Sequence, residues 1–117
     1  MKVAKSLKFK QDVPSGFREL QQAVGHGVTY VSIYANQNFM NYKSGIFSDP
    51  RCSDDVTNHA VAVVGYDADM TYWKVRNSWG SNWGEQGYIR MQFSYGNHGP
   101  CNIYKRNGVV VDAAPYG

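Results

Sequence analysis

Cysteine, proline and net charge are all scarce in this sequence. It holds two Cys and four Pro in 117 residues, and its 12 basic side chains exceed its 9 acidic ones only slightly, for a net charge of +3. Four Pro beside twelve Gly, with 43% apolar and 18% charged residues, exclude collagen-like and disordered chains and describe a globular one. Two Cys leave three options: one bridge, two free thiols, or a metal pair with His26, His59 or His98. No Cys-x-x-Cys or His-x-x-x-His spacing supports the metal. His26 and His98 stand in Gly-rich segments and read as solvated turn residues. The thin charge argues against a nucleic-acid partner. Lysines approach a cluster only over residues 2–10, where apolar positions separate them as on the wet face of a strand. No apolar run nears the roughly 18 residues of a membrane span, and residues 1–11 contain no apolar core of a signal peptide. Neither is expected in the chain as given; a targeting segment of a secreted protein would lie upstream. No Asn-x-Ser/Thr sequon is present.

Aromatic residues, by contrast, are abundant: 9 Tyr, 5 Phe and 3 Trp. Rings pack well on pleated surfaces and Gly supplies turns, so this composition points to a β-dominated domain of a kind often secreted. A chain of this length buries about two-thirds of its unfolded surface, enough for one modest core spanning residues 1–117. Residues 2–10 alternate polar and apolar and predict a strand. Pro14 and Ser15 open a helix over residues 15–24, with Phe17, Leu20, Gln21 and Val24 at near-helical spacing and Gly25 and Gly27 as the stop. Residues 28–35 read as a buried strand, 36–42 as a turn or short helix, and 43–58 as a loop. Residues 60–66, 72–76, 88–93 and 108–111 are further strands separated by turn chemistry. The fold class is α+β and β-dominated: an antiparallel, partly closed β-structure with one or two short helices.

Two segments carry chemistry. Asn58-His59-Ala60-Val61-Ala62-Val63-Val64-Gly65-Tyr66 puts a histidine at the mouth of an apolar strand, where a histidine is more often structural than catalytic. The second, Trp73-Lys74-Val75-Arg76-Asn77-Ser78-Trp79-Gly80-Ser81-Asn82-Trp83-Gly84-Glu85-Gln86-Gly87-Tyr88, holds two Trp-Gly pairs that strand propensity does not explain. A Trp two residues after an Asn offers an apolar cover for a polar contact, or simply core packing.

These blocks resemble the papain-like cysteine peptidases, in which such segments supply the catalytic histidine and the asparagine that orients it. Tyr42-Lys43-Ser44-Gly45-Ile46-Phe47 is similar to the family's segment ahead of the histidine, and Cys101 with the following strand to its C-terminal end. The resemblance implies His59 as general base, Asn77 as the acceptor that fixes its tautomer, and Trp79 as the shield of their hydrogen bond. It also implies a Cys52–Cys101 disulfide, which favours an oxidising compartment, lysosomal, vacuolar or secreted. Ser32, Asn58 and Ala60 would line the subsite for the residue two positions before the scissile bond, a roomy and mainly apolar pocket, though small residues packed in a barrel read the same way. Arg106 would favour acidic residues there if it reached the pocket floor. The family's nucleophile segment has no counterpart here, and Gln86 belongs to the Trp-Gly turn rather than to an oxyanion hole.

What the resemblance implies is therefore the C-terminal, β-barrel lobe of a papain-like endopeptidase, bearing base and orienter but no nucleophile, and inactive alone. No cofactor is implied. The expected partners are a helical, Cys-bearing lobe or second chain, peptide and protein substrates, and a propeptide or cystatin-like inhibitor, with no nucleic acid and no membrane. The alternative is an inactive lobe with a binding or scaffold role. A third reading, a fragment of a longer gene, stays open.

Overall fold

The structure is a computed structural model, and it describes residues 8–53, 56–69, 71–93 and 98–113. Among the described residues seven strands form one sheet in the order β1-β7-β2-β4-β5-β6-β3. They are β1 (Lys8–Val13), β2 (Val28–Ile33), β3 (Ile46–Phe47), β4 (His59–Tyr66), β5 (Tyr72–Arg76), β6 (Tyr88–Gln92) and β7 (Gly108–Ala113). Two helices, α1 (Phe17–His26) and α2 (Gln37–Met40), and a 3-10 turn at Pro100–Asn102 complete it. Within the predicted strand over residues 2–10, residues 2–7 lie outside the described ones and the rest opens β1. Every strand pair is antiparallel except β3 with β6, which is parallel. The expected antiparallel, β-dominated sheet is found, and the loop reading of residues 43–58 is corrected at one edge by a two-residue parallel strand. Two residues are too few to show a period of 2.

The helix ends two residues later than its sequence suggests. Gly25 lies inside α1, and the turn stops only at Gly27, whose backbone is extended while its N–H still bonds Ala23 O. One glycine in a helix costs about 1 kcal/mol, which the burial of Leu20, Ala23 and Val24 outweighs. His26 is consequently an exposed helix-terminal residue rather than a turn residue. β2 also departs from expectation. Its residues alternate, with Thr29, Val31 and Ile33 buried, while Val28 and Tyr30 remain 36% and 51% exposed on the other face.

The core lies on the inner face of β2, β4, β5 and β6. Trp73 is fully buried, stacks on Phe93 at 4.4 Å between ring centroids, and donates Nε1–H to Tyr104 Oη at 3.1 Å. Phe17 closes this cluster from α1, edge-on to Trp73, Phe93 and Tyr104. The Cys52–Cys101 disulfide, buried at both ends, ties the segment after β3 to the 3-10 turn, whose Cys101 carbonyl accepts from Tyr34 N.

Candidate active site

His59 opens β4 opposite Ile33 of β2, and Asn77 follows the last residue of β5. Because β4 and β5 are antiparallel neighbours, the start of one lies beside the end of the other, and the two side chains meet there. His59 Nε2 lies 2.7 Å from Asn77 Oδ1. The same Oδ1 accepts the Ser78 backbone N–H at 2.7 Å, which fixes the orientation of the amide. An amide oxygen can only accept, so Nε2 carries the proton and Nδ1 is the lone-pair nitrogen of the neutral ring. Nδ1 has no hydrogen-bond partner among the described residues. Asn77 is 5% exposed and its Nδ2 is buried without a partner among them.

Trp79 stacks on His59, 4.6 Å between centroids and 26° between planes, and its outer face leaves the residue 41% exposed. Phe39, fully buried at the centre of α2, meets four rings: Phe47 at 6.0 Å, His59 at 6.3 Å, Trp79 at 5.8 Å and Trp83 at 5.3 Å. Asn36 caps α2 by accepting from Phe39 N and so sets the ring's height. The turn that bears Trp79 and Trp83 is held by backbone bonds between Trp83 N and Gly80 O, Gly87 N and Trp83 O, and Asn77 N and Gly87 O. Gly84 suits the turn because φ is +60 and a Cβ would come within 2.6 Å of Tyr88 O, so any larger residue there is strained.

Below this turn Glu85 is the centre of a polar clamp. Its carboxylate accepts Arg90 Nε at 2.9 Å and Nη2 at 2.8 Å, and the Gly45 N–H at 3.0 Å. Those bonds, the Arg90 pair first and Gly45 second, hold the Glu85 pKa down at about 2 and raise that of Arg90. Tyr42 donates to Gly45 O at 2.6 Å, and burial is the main cause that raises its phenol pKa.

The residues expected to face substrate fall partly together. Ser32 and Ala60 are direct cross-strand partners on the outer face of β2 and β4. Asn58 carries the ladder past the end of β2: its N–H bonds Ile33 O, and its side chain accepts from Ala35 N at 2.8 Å. A cavity of about 560 Å³ runs along this face, lined by Val28, Tyr30, Ala60, Arg76, Asn77 and Tyr88 among others. Ala60 borders it, whereas Ser32, Asn58 and the exposed Arg106 do not. Sequence reasoning assigned no role to Phe39, Glu85, Arg90 or Arg76. Phe39 stands in a polar stretch without a period, and Glu85 was visible only as one letter of the Trp-Gly block.

The site is thus an imidazole hydrogen-bonded to a buried amide beneath an indole, and sequence comparison supplies the family of the chain. The profile of the papain family cysteine proteases matches residues 1–111. This chain belongs to that family. It is 42% identical over 98 residues to cathepsin L of Sarcophaga peregrina, and 46% identical over 97 residues to cathepsin S of Bos taurus. Each alignment covers 79% of this chain and 28% of the relative. A crystal structure of a Carica candamarcensis cysteine protease in complex with E-64 superposes with a TM-score of 0.78 at 33% identity, over 91% of this chain and 49% of that one. The chain thus spans under a third of the curated relatives and about half of the solved one.

Proposed function

We propose that this chain is the histidine- and asparagine-bearing half of a papain-like cysteine endopeptidase, its nucleophilic cysteine supplied by a helical lobe or second chain outside residues 1–117. The observation that carries the reading is the 2.7 Å contact of His59 Nε2 with Asn77 Oδ1, which directs the basic Nδ1 away from the amide. Both cysteines of this chain are in the disulfide, so neither is the nucleophile.

In this reading Nδ1 takes the proton of the partner's thiol, and the thiolate is stabilised by the imidazolium beside it. The thiolate attacks the scissile carbonyl carbon. As the tetrahedral intermediate collapses, the C–N bond breaks and Nδ1–H delivers the proton to the leaving amine, leaving a thioester. Nδ1 then takes a proton from water, whose oxygen attacks the thioester, and returns it to the departing sulfur. Asn77 holds the ring's tautomer through the cycle without adding charge, and Trp79 keeps water from one face of the pair. The groove along Val28, Tyr30 and Ala60 receives the Cys-bearing half, Ser32, Asn58 and Ala60 flank the substrate residue two positions before the scissile bond, and propeptides or cystatin-like inhibitors compete for the same cleft. The disulfide supports an oxidising compartment, lysosomal, vacuolar or extracellular.

The exposed Tyr30 and Val28 also favour a second reading, a lobe that binds without turnover. Intact-mass spectrometry of natively purified protein, treated with an epoxysuccinyl thiol probe, separates the two. A co-purifying or continuous cysteine-bearing segment with one adduct is the expected result; a lone unlabelled chain, two hydrogens light for its bridge, overturns the enzymatic reading.

A further inference from the structure

We propose that Glu85 and Arg90 are positioning residues for His59, acting through the rings of Tyr42, Trp83 and Trp79 that stand between. The argument follows contacts outward from the clamp. Glu85 binds the Gly45 N–H while Tyr42 donates to the carbonyl of the same residue, so the turn at Gly45 is held from both sides. The Tyr42 ring, thereby fixed, packs on Trp83 at 5.5 Å. Trp83 is anchored independently by its Nε1–H to Met40 O at 2.9 Å, and it meets Trp79 edge-on at 5.4 Å, the two planes 89° apart. Trp79 covers His59. An edge-to-face pair resists sliding because the positive ring edge points at the negative face, so a displacement of Trp83 is passed to Trp79 rather than absorbed. Glu85 also sits one residue after Gly84, in the turn that carries both indoles, so its carboxylate ties that turn to the Gly45 segment directly. Trp79 is 41% exposed on its outer side, so among the described residues its support comes from below.

This inference rests on His59 being the functional base, yet it fails separately from that reading, since its test measures the imidazole in the 117-residue chain and needs no turnover. The experiment is ¹⁵N–¹H NMR of the histidine rings in the wild type and in Glu85→Gln, which keeps the shape and removes the charge that binds Arg90. Loosening of the lid lets water compete for Asn77, and the minor Nδ1–H tautomer of His59 rises about fivefold, the factor that follows from weakening one hydrogen bond by its ordinary net value. The His59 ring protons also lose part of their shift from the stacked indole. His26, at the end of α1, stays unchanged. Val110→Ala, a cavity in the separate cluster of Val13, Ala23 and Val110, controls for lost stability alone. Where Glu85→Gln does not fold, Arg90→Lys, which retains the charge but not the two-pronged contact, gives the same readout at smaller amplitude. An unaltered His59 tautomer and ring-proton shift in a folded clamp variant whose Gly45 amide signal has moved overturns the proposal, as does an equal response in Val110→Ala.

Discussion

Replacement of Cys52 and Cys101 together by Ala tests how much of this fold depends on one cross-link. The bridge closes a sequence separation of 49, and the closed segment contains β4, β5, β6, His59 and Asn77. In the chain-entropy account a loop of that size is worth about 4 kcal/mol, nearly all of it by restricting the unfolded chain. Both sulfurs are buried, so their removal adds a small cavity cost, on the order of 1 kcal/mol. Against the roughly 5–15 kcal/mol that stabilises a typical domain, the pair of substitutions removes about a third or more of the total. Urea unfolding followed by Trp fluorescence reads the difference. Reduced wild-type protein retains the sulfur atoms, so the gap between it and the double variant isolates the packing share. A loss under about 1 kcal/mol in the double variant would refute the argument, because it would mean that the unfolded ensemble already holds residues 52 and 101 near each other.

Three further outcomes follow from single contacts. Gly84→Ala places a Cβ 2.6 Å from Tyr88 O at φ +60 and should cost about 1–3 kcal/mol in urea unfolding, with loss of Trp79 order. Glu85 ionises in the folded chain at about 2, below its ordinary 4.5, so its stabilisation is fully present above pH 4.5 and is lost as pH falls toward 2. With both partners of its ion pair about one-third exposed, the amount is about 1 kcal/mol; thermal unfolding against pH should show that slope in wild type and a flatter one in Glu85→Gln. On the proposed function, Asn77→Ala should lower kcat/KM of the peptidase assembled with its Cys-bearing half about tenfold to a hundredfold, with the pH profile altered, while a conservative Asn77→Gln that restores the acceptor recovers part of the loss.

Much of this was legible in the chain because its strands follow local rules. The run from Ala60 to Tyr66 and the alternation through Trp73 and Val75 located β4 and β5 to within a residue, and their antiparallel pairing is what brings His59 beside Asn77. What escaped the sequence depends on distant partners. β3 exists only because Ile46 and Phe47 find Arg90 and Met91 across the sheet, and no pattern of two residues announces that. α1 runs through Gly25 because Ala23 and Val24 are buried, a tertiary gain that outweighs the local preference. Phe39 and Glu85 matter through contacts made 20 and 40 positions away along the chain, with His59 and Gly45, and composition is blind to such pairs.

The placement of the core leaves one face of the sheet well packed and the other open. Trp73, Val75, Ile89 and Met91 face inward and are fully buried, so the sheet draws its stability from the side away from the groove. The opposite face carries Val28, Tyr30 and Ala60, too apolar to be at ease in water and too shallow to bury itself. His59 stands at the strand end between these two surfaces, oriented by side chains of the finished core while its Nδ1 is free of any partner in the described chain. In the proposed reading, orientation is complete before a thiol is supplied, and the cost of ordering the imidazole falls on folding rather than on assembly or catalysis.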